Sequence, residues 1–193
     1  MLPSLILNGL NVLFVAGCMV WGVRKANPVS ALFRYFTTLS NVLCAIASLA
    51  VVIAWCFGEL PLWVMILKFT GTAAVTVTML TVFCVLGPVS HEWKDLLSGP
   101  ELLLHLFCPL LAIVSLLVFE RPDAPAWLIA IGAAPVFLYA VLYWYKVIHV
   151  PEERKWPDFY GFNRNGKWPL TASMMLLSAL LISFALFLLC VLW

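Results

Sequence analysis

Charge is what this sequence has least of. Only 10% of its 193 residues are Asp, Glu, Lys or Arg, where a soluble domain carries about a quarter. The net charge is +2 and there is no basic tail, so nothing offers nucleic acid an electrostatic footing. There is no glycine-rich phosphate loop, and no ladder of charges of the kind a proton pump or voltage sensor carries inside its spans. The six cysteines (Cys18, Cys44, Cys56, Cys84, Cys108, Cys190) all fall within apolar runs. That placement favours buried free thiols over a disulfide framework. No positive segment precedes the first apolar stretch, so a cleaved signal peptide is not expected.

What is present is apolar: 64% of the residues are hydrophobic and the mean hydropathy is +1.05. A bilayer explains this excess where a globular core does not. A crossing needs about 20 apolar residues, and six segments qualify: Leu2–Val23, Tyr35–Phe57, Leu62–Leu86, Leu102–Phe119, Ala126–Ile148 and Pro169–Leu192. The loops are short except the fifth, from about His149 to Trp168. The expected fold is therefore all-α, a polytopic membrane protein with six transmembrane helices in one bundle, residues 1–193 forming a single domain. Trp21, Trp55, Trp63, Trp127, Trp144, Trp168 and Trp193 stand at span ends, where indoles settle at the headgroup level. In the third span Lys68 either snorkels to the interface or marks a helix that begins only near Phe69.

Loops one, three and five carry Arg24, Lys25, Arg34, Lys94, Lys146, Arg154, Lys155, Arg164 and Lys167, against Arg121 and Lys68 on the other side. This bias predicts cytoplasmic odd loops and outward termini. Gly71, Ala74, Thr78 and Thr81 share one face of the third span, a seam suited to close helix packing. Thr78 and Thr81 lie at its odd-loop end, where they can also line a polar pocket.

The second span opens Arg34-Tyr35-Phe36-Thr37-Thr38-Leu39-Ser40-Asn41, where plain aliphatics would be usual. Thr37, Ser40 and Asn41 fall on one helical face, and polar groups in hydrocarbon need partners within the protein. The fourth span holds the only histidine well inside a span, His105, one turn past Glu101 on the same face. An intramembrane histidine is either a packing group hydrogen-bonded between helices or a functional one. Both Thr37 and His105 start their spans on the odd-loop side, so they share a depth. A threonine hydroxyl needs an adjacent base to act as a nucleophile, and neutral histidine is the usual one. Glu101 is either half of a capping box with Ser98 or the group that orients the imidazole. Ser40 and Asn41 are candidate donors to an oxyanion. His105 and Cys108, at i and i+3, lack further ligands at matching depth, which disfavours zinc. Neither a metal nor an organic cofactor is implied.

The fifth loop is dense in aromatics and mixed charge: Trp156-Pro157-Asp158-Phe159-Tyr160-Gly161-Phe162 is followed by Asn163, Arg164 and Lys167. It reads as either a solvated connector or a structured cap over the Thr37 side.

Taken in order, Tyr35-Phe36-Thr37, the Gly71-to-Thr81 segment ending at Gly87-Pro88, His105 followed by Pro109, and Trp156 through Phe162 resemble the bacterial branch of the androgen-induced integral-membrane hydrolases. The likeness spans nearly the whole chain. It implies six helices and a threonine hydrolase acting on fatty acid esters of hydroxy fatty acids, with Thr37 as nucleophile and His105 as base. This chain departs from the animal members in carrying Leu102 where they have a second histidine, and in placing its proline one residue nearer His105. The expected activity is hydrolysis of a lipid ester drawn from the bilayer, with Arg34, Arg164 and Lys167 available to hold a substrate carboxylate. The rival expectation is a non-enzymatic lipid-binding or transport-related membrane protein built on the same polar pocket.

Overall fold

A computed structural model describes residues 1–121 and 125–192; Trp193, counted above among the interfacial tryptophans, lies outside them. Six helices are long and apolar enough to cross a membrane: α1 (Leu2–Lys25), α2 (Phe36–Cys56), α3 (Leu62–Ser90), α4 (Gly99–Phe119), α5 (Leu128–His149) and α6 (Trp168–Leu192). The described residues contain no strand. The protein is thus an all-α, multi-pass integral membrane protein.

α3 runs past the expected Leu86 to Ser90, because Pro88 does not stop it. A proline inside a helix removes one N–H and crowds the carbonyl four residues back. The chain accommodates this twice, at Pro88 and Pro109, by widening one turn to π-helical geometry just before the proline, and the same wide turn ends α5 ahead of Pro151. Val82–Leu86 precedes Pro88, Leu103–Phe107 precedes Pro109, and Tyr145–His149 precedes Pro151. Each wide turn closes with an N–H bonding the carbonyl five residues back, as Cys108 does to Leu103.

α3 is the centre of the bundle. It packs against α2, α4, α5 and α6, while α1 sits against α2 and α4. Close approach depends on absent side chains: a Cβ added at Gly71 would stand 3.0 Å from the Cys44 Cα of α2. One added at Gly132 of α5 would overlap Ser183 of α6 and Phe69 of α3. Most of the tryptophans expected at the interface are exposed there, but Trp168 is buried and stacks on Tyr143, with centroids 5.6 Å apart. All six cysteines are free; Cys56 and Cys84 are exposed and the other four buried.

Both expectations for Lys68 fail. The helix begins at Leu62, and Lys68 is wholly enclosed. Its ammonium lies 2.6 Å from Asn8 Oδ1 and 3.6 Å from Glu120 Oε2, with both charged side chains fully buried. Glu120 Oε1 in turn accepts from Ser4 (2.5 Å), Asn8 Nδ2 (2.5 Å) and Ser115 (2.6 Å). Trp55 donates to the Ser4 hydroxyl at 3.0 Å. Snorkelling is defeated because a carboxylate waits inside, at the far end of α4. The cluster ties α1, α2, α3 and α4 together on the side of the even loops.

Removing one partner of a buried pair strands the other charge, at about 3–5 kcal/mol. Lys68→Met and Glu120→Gln should each lower the melting temperature in detergent markedly. The double variant should recover much of the loss, since the carboxamide oxygen introduced at position 120 still accepts from Ser4, Asn8 and Ser115. A strictly additive double variant would show that the two charges do not interact.

Candidate active site

His105 owes its position to Pro109. The widened turn Leu103–Phe107 holds His105 at its middle, where it is only 5% exposed. Its Nδ1 lies 2.8 Å from the Leu96 carbonyl oxygen. A carbonyl only accepts, so Nδ1 carries the proton and Nε2 presents its lone pair. Leu96 ends the single turn Trp93–Leu96, where last-turn carbonyls have no partner within the helix. The loop before α4 thereby fixes the tautomer of a histidine inside it.

Thr37 is the second residue of α2. Its Oγ1 lies 3.5 Å from His105 Nε2. That is about half an ångström longer than a well-formed hydrogen bond, and catalytic contacts are commonly long before substrate tightens them. Glu101 Oε2 stands 3.5 Å from the same nitrogen. Ser98 makes no side-chain cap bond to α4's first turn. Nor does Glu101 hold Nδ1, the position of a triad's third member; the Leu96 carbonyl occupies it. A carboxylate at this place can instead face an imidazolium once Nε2 has taken a proton.

The other residues of the α2 face divide. Ser40 donates to the Thr37 carbonyl (3.1 Å) and shares a 2.8 Å hydrogen bond with Thr78. Asn41 gives both amide hydrogens to carbonyls, of Thr37 at 2.9 Å and Leu104 at 3.2 Å. Those two acceptors assign its amide orientation, and its Oδ1 is left buried without a partner. Neither Ser40 nor Asn41 therefore has a hydrogen to spare for an oxyanion. They fix the start of α2 against α3 and α4. Thr78 meets Thr37 across a narrow cleft. Arg34, Arg164 and Lys167 are not brought to the pair: none lines the cavity around it.

Tyr160 is the residue that sequence reasoning missed. Its hydroxyl accepts the Phe36 N–H at 3.0 Å, and the residue lines the same chamber as Thr37. Burial raises its pKa above the ordinary phenol value, so it remains a donor at neutral pH. The signal was present in the aromatic run of the fifth loop, but only the fold shows which ring turns inward. Asp158 organises that loop. Its Oδ1 accepts from Tyr143 (2.8 Å) and the Phe162 N–H (2.9 Å), and its Oδ2 from the Asn163 N–H (3.0 Å). Phe159, Tyr160 and Phe162 pack around Tyr143 as a result.

Thr37 stands at the junction of two spaces. On one side is a chamber of about 400 Å³, walled by His105, Glu101, Glu92, Tyr35, Phe159 and Tyr160. On the other is a cleft of about 30 Å³ among Phe36, Val77, Val82, Tyr139 and Met175. Beyond Phe36 and Tyr139 an apolar groove of about 220 Å³ runs between α2 and α5. The arrangement can hold a molecule with a compact polar end and an apolar tail, its reacting bond beside Thr37.

Asp158→Ala should release the loop and leave α5 and α6 in place. Backbone amides from Phe159 to Asn163 should exchange with deuterium at least about tenfold faster, a loss of roughly 1.4 kcal/mol of local stability. Unchanged exchange would mean that ring packing alone holds the cap. No protein-family model, curated protein or solved structure matches this chain.

Proposed function

We propose that the protein is a membrane-embedded threonine hydrolase that cleaves lipid esters. The observation that carries this reading is the Thr37 hydroxyl beside a histidine nitrogen whose proton is committed elsewhere, to Leu96. His105 Nε2 removes the Thr37 proton as Oγ1 attacks the ester carbonyl. The Tyr160 O–H and the free N–H groups of α2's first turn receive the developing oxyanion. Glu101 stabilises the imidazolium, which then protonates the departing alcohol. His105 next takes a proton from water, the water oxygen attacks the acyl-threonine, and the fatty acid leaves with Thr37 restored. The chamber and the apolar groove support this reading by offering separate room for alcohol and acyl chain. We further propose, from the charge bias of the loops, that the chamber opens on the cytoplasmic side.

Purified protein in neutral detergent should release fatty acid from a simple long-chain ester. Thr37→Ala and His105→Ala should each cut kcat about 10³-fold or more, and doing both should add little, as expected of residues acting as one unit. Activity surviving both changes would reject the pair. Lipid retained without turnover by the unaltered protein would instead favour a lipid-binding or transport-related protein.

Tyr160→Phe should lower kcat about 10²-fold with a smaller change in KM, the mark of a donor used in the transition state. An unchanged kcat would remove Tyr160 from the mechanism. A label on the fifth loop that reacts only in opened cells would support the assigned orientation, and one that reacts in intact cells would reverse it.

A further inference from the structure

The chamber beside Thr37 has an unexpected charge. Its side of the protein carries nine of the eleven Lys and Arg residues, yet none of them lines it. Its charged walls are two carboxylates, Glu92 and Glu101. Glu92 forms no ion pair among the described residues, and Lys94, two positions on, stands outside the wall. The rings of Tyr35, Phe159 and Tyr160 line the same chamber. The Tyr35 and Phe159 rings pack on one another, with centroids 4.7 Å apart and planes at 49°. Carboxylates in a concave wall that holds no Lys or Arg favour a cation, and aromatic faces attract cations, quaternary ammonium above all.

We propose that this chamber binds an ammonium group, so that the substrate is a fatty acyl ester of a short amino alcohol. The inference rests on the ester-hydrolase reading and adds the chemistry of the leaving alcohol. Geometry sets the spacer. Thr37 Oγ1 and Glu101 Oε2 each lie 3.5 Å from His105 Nε2, so they are at most twice that distance apart. An ester carbonyl at Thr37 therefore leaves room for only a short carbon spacer before the cation meets the carboxylate. A volume of about 400 Å³ accommodates such a head and lies at the small end of ligand sites. An alcohol bearing a carboxylate, as in a hydroxy fatty acid, would meet like charge with no Lys or Arg in the wall to offset it.

The test compares three lauroyl esters on the purified protein in neutral detergent. Lauroylcholine carries the cation, 3,3-dimethylbutyl laurate is its uncharged isostere, and the laurate ester of 3-hydroxypropanoate carries an anion. The cationic ester should exceed the neutral one about tenfold in kcat/KM, the scale of a partly desolvated cation–aromatic contact. The anionic ester should fall below both. Glu92→Gln should reduce the cationic-to-neutral ratio several-fold. Equal rates for the cationic and neutral esters, or a ratio unaffected by Glu92→Gln, would overturn the proposal while leaving ester hydrolysis standing. Should no ester be cleaved, the hydrolase reading fails and the site is read by binding. Butyltrimethylammonium should then raise the melting temperature where 3,3-dimethylbutanol does not, and Glu92→Gln should abolish the shift. No shift with the cation would overturn the ammonium site as well.

Discussion

A buried ammonium at the centre of a membrane bundle constrains everything around it. Lys68 has no route to water, so its charge must be matched inside the protein. Glu120 supplies the opposite charge, and Ser4, Asn8 and Ser115 supply the hydrogen bonds that hold its carboxylate in place. Lipid offers helices no hydrophobic drive to associate with one another. Four helices are instead held at one end by the cost of leaving any of these groups unpaired. With α1, α2, α3 and α4 secured there, the opposite ends of α2 and α4 lie close enough for Thr37 and His105 to meet.

The prolines shape the other end. Pro109 forbids an ordinary turn at His105, and the wider turn that results exposes backbone that a regular helix would satisfy internally. Asn41 reaches the Leu104 carbonyl within this turn. Pro88, by the same device, lets α3 continue beyond the core and deliver Ser90 and Glu92 to the chamber. The chamber is thus built by two helices that carry on through residues expected to break them.

Much of this was legible in the sequence. Runs of apolar residues of membrane length gave six spans to within a few residues, because hydrocarbon thickness imposes that length directly. Thr37 and His105 could be set at one depth from topology alone. Rotation about each helix axis was not legible, and rotation decides partners. Lys68 reads as interfacial from its position near a span end, because nothing local reveals Glu120, 52 residues later. Glu101 reads as a cap or an orienting carboxylate because the Leu96 carbonyl, a backbone atom, leaves no trace in residue types. Ser40 and Asn41 read as free donors, although their hydrogens are spent on the carbonyls of Thr37, one turn back, and of Leu104 in α4. Tyr160 was hidden among five aromatics of one loop, since which ring faces inward depends on how Asp158 folds that loop.

The two polar ends of the bundle differ in how far their groups are satisfied. In the Lys68–Glu120 cluster one carboxylate oxygen accepts three hydrogen bonds and the other faces an ammonium. Glu120 Oε2 makes no hydrogen bond among the described residues, and it is the Lys68 charge at 3.6 Å that offsets this. Around Thr37 the bond to His105 is long, and Asn41 Oδ1 is buried without a partner among the described residues. Unmet polar capacity inside a protein carries a standing cost, and a molecule that supplies the missing partners recovers it. The ion-paired cluster holds helices together, and under the proposed function the group around Thr37 is where a substrate gains by binding. Structural polarity can be sealed completely, whereas Thr37 and His105 border a chamber, which leaves a path for the water that the proposed ester hydrolysis consumes.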